Sequence, residues 1–182
     1  GYDLNVRYLN DFQIGENFWD LQTTFTATKY DELKEQVDPE SPVNDRVGEA
    51  GFPEWSWIAR IDLATGNWGL TWRSRYVSDF EKDPEDVNAS ANSSRRDPCR
   101  TLGGPDDCVE KSFGQSEMYH DLSATFEKDD WAVTLGIKNV FDNMPPLVNQ
   151  NTDEAPSRFN YVVQSTYDLF GRRAFLNLRK SF

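Results

Sequence analysis

The side chains that could carry out chemistry are few in this chain. Its 182 residues include one histidine, His120, and two cysteines, Cys99 and Cys108. With so few nucleophiles, bases and metal ligands, we can assemble no Ser-His-Asp set, metal-ligand cluster or nucleotide-binding loop. We therefore expect no enzymatic activity, no metal and no cofactor, and we interpret His120 as a polar residue near the end of a strand.

The two cysteines lie close together, on either side of Gly103-Gly104-Pro105. A disulfide suits a loop that is exported to an oxidising compartment. A metal site is the rival interpretation, but it would need further thiols or a nearby histidine. We predict a disulfide between Cys99 and Cys108.

Acidic residues dominate the charge of the chain. The formal net charge is -12, which argues against a nucleic-acid partner because phosphate binding requires a basic surface. Calcium is conceivable at one acidic run, but the spacing of its carboxylates matches no EF-hand loop. We interpret this run as solvated charge; it comprises Asp79, Glu81, Asp83, Glu85 and Asp86.

Six basic residues fall in the polar register of alternating segments. They are Arg60, Arg73, Arg75, Lys138, Arg173 and Arg179. We interpret them as facing a polar interior, where they are solvated or paired with carboxylates such as Asp62 and Asp121. A second interpretation stays open, in which they form a basic path that attracts an anionic ligand.

The elements that must position these residues are strands. Apolar and polar residues alternate in seven segments, which predicts seven strands with two different faces. No helix of convincing length or amphipathicity is indicated. Short and long connections alternate, with short turns predicted around 10–17, 64–67 and 127–130 and long irregular loops over 31–52, 79–117 and 142–171.

Two environments fit such strands. In a soluble sandwich the apolar face packs on a core, whereas in an outer-membrane barrel it contacts lipid and the polar face lines the interior. Short turns at one end and long loops at the other are typical of the barrel. The tryptophans lie where its interfacial girdles would be, with Trp19, Trp68 and Trp131 after short turns and Trp55 and Trp57 after a long loop. The pattern favours an antiparallel transmembrane β-barrel.

The last third of the chain resembles the TonB-dependent outer-membrane receptors. Residues 133–146, which contain Asn139-Val140-Phe141-Asp142, are similar to the penultimate strand of that family. Residues 167–175, which contain Gly171-Arg172, are similar to the start of its final strand, and residues 116–124 resemble an earlier strand. Phe182 is similar to the terminal aromatic residue that the barrel-assembly machinery reads.

This resemblance implies a 22-stranded barrel around an N-terminal plug. We therefore expect residues 1–182 to be the C-terminal part of a receptor barrel, about seven strands, with the plug and the remaining strands outside this chain. The resemblance also implies a place in the bacterial outer membrane, in contact with lipid, and coupling to the TonB-ExbB-ExbD complex through the plug. Its function would be active import of a small-molecule ligand such as a ferric siderophore, an oligosaccharide, a peptide or cobalamin. The alternative is a soluble all-β carbohydrate-binding module with an exposed aromatic platform.

Overall fold

The alternating segments form strands. The computed structural model describes residues 1–49, 51–81, 113–152, 155–162 and 167–181. Within these ranges there is no helix long and apolar enough to cross a membrane. The prediction of an all-β, antiparallel chain is confirmed for the described residues.

Seven strands, which we call the long strands, form one antiparallel sheet, and the other six form three two-stranded ladders in the long connections. In chain order the strands are β1 (Tyr2–Ile14), β2 (Asn17–Lys29), β3 (Lys34–Glu35), β4 (Asn44–Asp45), β5 (Trp55–Thr65), β6 (Trp68–Val77), β7 (Phe80–Glu81), β8 (Phe113–Gly114), β9 (Glu117–Lys128), β10 (Trp131–Lys138), β11 (Leu147–Thr152), β12 (Ala155–Val162) and β13 (Arg173–Lys180). The large sheet has the order β1-β2-β5-β6-β9-β10-β13, so each of its strands pairs with the next long strand along the chain.

Two-residue turns join the long strands at one end of the sheet, after β1, β5 and β9. The first residue of each turn has a positive φ: 63° at Gly15, 52° at Gly66 and 53° at Asp129. Short hairpin turns require such a conformation. Because all three short turns lie at this end, the three long connections leave from the opposite end.

The first turn is much shorter than the sequence predicts. The prediction of a turn over 10–17 is wrong, because β1 continues to Ile14 and β2 begins at Asn17. Polar residues interrupt the apolar pattern after Tyr8, but the Phe12 ring stacks on Trp19 with centroids 6.5 Å apart. This cross-strand contact extends the hairpin beyond the region of clear alternation.

The long connections are not wholly irregular, which is also a correction. In the first of them, β3 pairs with β4, and the Arg46 guanidinium bonds Glu35 at 2.5 Å and also Glu49. Asp45 accepts hydrogen bonds from the N–H groups of Leu33 and Val47, and both bonds lower the pKa of its carboxyl group. The bond from Leu33 has the larger effect on the pKa. Contacts of this kind are invisible to a test of apolar periodicity.

The large sheet is a single layer in the described part of the chain. Only six hydrophobic side chains are buried among all the described residues, in the sheet and in the connections together. On the sheet, Leu4, Leu135 and Leu176 are 53%, 59% and 59% exposed. Among the described residues, the outer edges of β1 and β13 carry no partner strand. Most of the apolar surface of the sheet is therefore open to its surroundings.

Candidate functional site

The strand register separates the large sheet into two chemically different faces. Residues that are opposite one another on neighbouring strands share a face and a level. One level of the face that we call the apolar face comprises Tyr8, Thr23, Ile61, Trp72, Leu122, Ile137 and Ala174. The other face, which we call the polar face, carries the intervening residues of every strand.

Contacts between lysine and tryptophan mark both ends of the apolar face. At the end with the long connections, Lys29 Nζ lies 5.3 Å from the ring centroid of Trp55. At the end with the short turns, Lys180 Nζ lies 4.8 Å from the ring centroid of Trp131. Between these two levels, which are about 41 Å apart along the strands, the seven strands place no Asp, Glu, Lys or Arg on the apolar face.

All five tryptophans predicted at interfaces lie on the apolar face; they are Trp19, Trp55, Trp57, Trp68 and Trp131. Near the short turns, Trp68 packs against Phe126 at a centroid distance of 4.8 Å. Near the long connections, Trp57 lies between Phe25 at 5.8 Å and Tyr76 at 5.6 Å. Aromatic rings therefore pack along both ends of this face.

His120 also lies on the apolar face, where it belongs to a short hydrogen-bond series. Trp72 Nε1 donates to Ser74 Oγ at 3.0 Å, and Ser74 Oγ lies 2.8 Å from His120 Nδ1. The His120 ring is half-buried and nearly perpendicular to the Phe141 ring, with the two ring centroids 5.1 Å apart. Ser74 thus gives a hydrogen-bond partner to the indole N–H of Trp72 and to one ring nitrogen of His120, which suits polar atoms on an otherwise apolar face.

Five cations lie at one level of the polar face, which we call the basic row: Arg7, Arg60, Arg73, Lys138 and Arg173. In the strand register, Arg7 lies opposite Thr24, and Thr24 lies opposite Arg60 on the other side of its strand. Arg60 in turn lies opposite Arg73. Arg73 lies opposite Asp121 on β9, and Lys138 on β10 lies opposite Arg173 on β13. Sequence reasoning missed Arg7, although the alternation in the first strand places it in the polar register.

Carboxylates neutralise three cations of the basic row. The ion pairs are Arg60–Asp62 at 2.6 Å, Arg73–Asp121 at 3.8 Å and Arg173–Asp168 at 2.7 Å. In the described ranges the other two contact no carboxylate. Arg7 donates a hydrogen bond to Gln22 at 3.1 Å, and Lys138 Nζ lies 5.8 Å from the ring centroid of Phe175.

The remaining two predicted cations lie on the polar face at other levels. Arg75 lies one level closer to the long connections, with its guanidinium carbon 5.0 Å from the ring centroid of Tyr119. Arg179 lies near the short turns and bonds Glu127 at 3.1 Å. All six cations predicted from the sequence thus share one face of the sheet, but only four of them share a level.

Two sequence motifs that are thirty residues apart meet at the end of β10, in an arrangement we call the clamp. Asn139 is fully buried, and its side-chain amide bonds both the N–H and the C=O of Asn143, at 2.9 and 2.8 Å. Asp142 Oδ1 accepts the Arg172 N–H at 2.7 Å. Gly171 has a φ of 65°, and a Cβ there would lie 2.9 Å from Asp142 Oδ1. The clamp therefore holds the start of β13 against the end of β10.

A small aromatic cluster covers the polar face at the end with the long connections. Val77, Phe80, Tyr119 and Tyr167 are each at most 5% exposed, and the rings of Phe80 and Tyr167 are 5.9 Å apart. Burial raises the pKa of the Tyr167 phenol. The cluster joins residues of two long connections to the sheet, a contact that the sequence pattern did not predict.

Asp168 follows this cluster and is also buried. Burial alone would raise its pKa, but the Arg173 guanidinium and the Phe170 N–H outweigh that effect and hold the pKa below its usual value. The carboxylate thus stays ionised and orients Arg173 at the start of β13.

Several predicted residues lie outside the described ranges: Cys99, Cys108, Asp83, Glu85, Asp86 and Phe182. The disulfide and the role of the terminal aromatic residue stay predictions. Among the described residues, no group of three or more His, Cys, Asp or Glu side chains could hold a metal ion.

Comparisons with known proteins do not identify a family. No family model matches the chain, and the curated proteins and the solved structures give no match either. Functional inference therefore depends on the two faces of the sheet and on the motifs that meet in the clamp.

Proposed function

We propose that this chain is part of the barrel wall of a TonB-dependent outer-membrane receptor, which imports a scarce ligand into a Gram-negative bacterium. The observation that carries the proposal is the apolar face, which is bounded at both ends by a lysine–tryptophan contact and lacks charged residues between them. A membrane barrel presents such a face to lipid and places aromatic girdles at the two interfaces.

The dimensions of the apolar face support this proposal. Barrel strands tilt by about 40° in the membrane. At that tilt, the distance of about 41 Å along the strands corresponds to about 31 Å across the bilayer. This span covers an apolar band of about 25 Å and the girdles that flank it.

The connectivity supports the same proposal. Neighbouring strands follow one another along the chain, with short turns at one end and long connections at the other. Membrane barrels have short periplasmic turns and long extracellular loops, so the short turns would face the periplasm. The clamp unites the two motifs that resemble those of TonB-dependent receptors.

In this role the chain does not change the ligand covalently. Its strands separate lipid from a polar interior, and its long connections form part of the extracellular surface where the ligand binds. TonB, ExbB and ExbD would supply energy through the plug. The barrel-assembly machinery would insert the strands into the outer membrane.

A soluble carbohydrate-binding module is less well supported. A sandwich would cover the apolar face with a second layer, whereas the described sheet is a single layer, and Leu4, Leu135 and Leu176 of its apolar face are each more than half exposed. Trp57 and Trp68 also pack against neighbouring rings of their own face, which leaves less of each ring for a sugar.

Spin labels on neighbouring residues of β10 test the orientation of the sheet in the membrane. Leu135→Cys and Thr134→Cys place a nitroxide on the apolar and the polar face of the full-length protein in lipid vesicles. We expect the label at 135 to be accessible to oxygen, which dissolves in lipid, and the label at 134 to be much less accessible to oxygen. The unsubstituted protein gives the background from natural cysteines. Equal accessibility to oxygen at both positions would overturn the proposal.

Uptake measurements test the transport function itself. Cells with and without the intact gene would be compared for accumulation of labelled ferric chelates, oligosaccharides, peptides and cobalamin. We expect uptake of one of these ligands to require both the protein and TonB, and to stop when a protonophore removes the energy source. Uptake that is independent of TonB would contradict the proposal.

A further inference from the structure

The hydrogen bonds around His120 fix which of its two ring nitrogens carries the proton. The Trp72 indole N–H can only donate, so Ser74 Oγ accepts that bond at 3.0 Å. Ser74 is buried, and within the described ranges its hydroxyl group contacts no acceptor other than His120 Nδ1, at 2.8 Å. Since a buried hydroxyl group needs an acceptor, the Ser74 O–H donates to Nδ1. The neutral imidazole therefore carries its proton on Nε2.

This leaves the Nε2–H of His120 as a donor without a protein partner. In the described part of the chain no acceptor contacts it. Nε2 is unpartnered but not buried, so it can be reached from the surroundings of the apolar face. Trp72 and Phe141 flank the imidazole, with ring centroids 5.4 and 5.1 Å from that of His120. Packing therefore holds the orientation of this donor together with the Ser74 bond.

The depth of His120 limits what can supply an acceptor. Trp57 and Tyr76 share one level of the apolar face, and His120 lies two residues further from the long connections. At about 3.4 Å per residue and a strand tilt of about 40°, this places His120 about 5 Å deeper in the membrane than that aromatic level. Water is absent from the hydrocarbon. The lipid oxygens closest to this depth are those of the ester groups that join the acyl chains to the headgroup.

We infer that His120 binds an acyl ester of an outer-leaflet lipid. Its Nε2–H donates to the ester carbonyl oxygen, and the acyl chain packs on Phe141, which is 60% exposed. The position in the outer leaflet rests on the proposed function, in which the long connections are extracellular. The choice of a carbonyl follows from the neutral donor and its depth, because an anionic phosphate stays in the headgroup region and favours a charged partner.

Solid-state NMR of the full-length protein tests both parts of this inference. The histidines carry ¹⁵N, the loss of signals in His120→Gln identifies those of His120, and the vesicles consist of diacyl phosphatidylethanolamine with ¹³C in its ester carbonyls. We expect a protonated Nε2, an unprotonated Nδ1 and a distance of about 4 Å from Nε2 to a lipid carbonyl carbon. Lipid labelled at the terminal methyl group is the control and should give no contact. A proton on Nδ1, or contact of Nε2 with water or polypeptide in place of the carbonyl, overturns the inference.

Substitutions at His120 separate the donor from the rest of the side chain. Vesicles contain equal amounts of diacyl phosphatidylethanolamine and its dialkyl ether analogue, which lacks carbonyl groups, and native mass spectrometry identifies the lipid that stays bound. We expect the unsubstituted protein to retain about two- to tenfold more diacyl lipid, which corresponds to one hydrogen bond. His120→Gln, which keeps an N–H donor, should preserve most of this preference, whereas His120→Phe should abolish it.

Leu122→Phe is the matched control, because it places the same ring on the same face of β9 without removing a donor. It should keep the preference for the diacyl lipid. If His120→Phe keeps the preference as well, Nε2 does not bind the ester and the inference fails.

Failure of this inference is distinguishable from failure of the proposed function. Spin labels on β10 report whether the apolar face contacts lipid, and the NMR contact reports what His120 binds there. A lipid-facing apolar side without a contact between Nε2 and the ester carbonyl would overturn only the inference about His120. An aqueous apolar side would overturn the proposed function itself.

Discussion

Gly171 and Gly15 have nearly the same backbone conformation but different surroundings. Their φ values are 65° and 63°. A Cβ at Gly15 would meet nothing within 4 Å, whereas a Cβ at Gly171 would lie 2.9 Å from Asp142 Oδ1. The two residues therefore allow the contribution of the clamp to be separated from that of the left-handed backbone.

Alanine at each glycine should give different losses of stability. Gly15→Ala should cost about 1–2 kcal/mol, because an L-residue is strained in this region. Gly171→Ala should cost about 0.5–1.5 kcal/mol more, because Asp142 must move and its exposed hydrogen bond from the Arg172 N–H is lost. Denaturant unfolding of the full-length protein in lipid vesicles would measure both losses. Equal losses would show that the contact of Asp142 with residues 171 and 172 contributes no stability.

Acid should weaken the ion pair at Asp168. Since its pKa is lowered in the folded protein, the pair stabilises the fold above the ordinary carboxyl pKa of about 4. This stabilisation is lost as the pH falls through the lowered pKa of the folded state. We expect Asp168→Asn to be less stable than the unsubstituted protein at pH 6, and the difference to shrink at pH 3. A difference that is the same at both pH values would contradict this assignment.

At the scale of elements, the pairing of β10 with β13 depends on a close fit on the polar face. The Phe175 ring lies directly over Gly136, its partner in the register, where an added Cβ would overlap the ring. Gly69 lies on the same face of β6, but a Cβ there would meet only Thr125 Cβ at 3.9 Å. Glycine at 136 thus lets an aromatic ring pack on the backbone of the neighbouring strand.

Gly136→Ala should destabilise this strand pair by about 1–3 kcal/mol, because the Phe175 ring is forced from its position. Gly69→Ala is the matched control and should change stability little. In a double-mutant cycle, Phe175→Ala should abolish most of the effect of Gly136→Ala. Unfolding measurements on the four proteins give the coupling, and an additive result would exclude this packing role.

At the scale of the whole molecule, the distribution of charge over the two faces decides which solvent each face can meet. The formal net charge is -12, but the apolar face carries lysines only at its two ends. The arginines and the acidic residues of the seven strands all lie on the polar face or at strand ends. The middle of the apolar face therefore carries no charge.

One arginine on either face of β13 tests this division. Leu176→Arg should make folding into lipid vesicles less favourable by about 2–4 kcal/mol, because a charge would face the hydrocarbon. Asn177→Arg places the same side chain on the polar face and should change it by less than about 1 kcal/mol. Similar losses for the two variants would show that the apolar face does not contact lipid.

Part of the fold and of the candidate site could be predicted from local pattern. Alternation of apolar and polar residues with period two predicted that Arg60, Arg73 and Lys138 lie on the polar face. Successive side chains of a strand must point to opposite faces. The strand pairing that brings Arg7 and Arg173 to the same level depends on contacts between distant segments, which alternation does not encode. The ladders in the long connections escaped prediction for the same reason.

The sequence by itself determined that the chain forms two-faced antiparallel strands, with apolar residues on one face and cations on the other. It also supplied the motifs around Asn139 and Gly171. Only the tertiary structure decided that these motifs meet in one clamp, and that five cations align in a basic row. The physical reason is that periodicity is a local property of the backbone, whereas level and contact are set by hydrogen-bond register and side-chain packing between strands that are far apart in the chain.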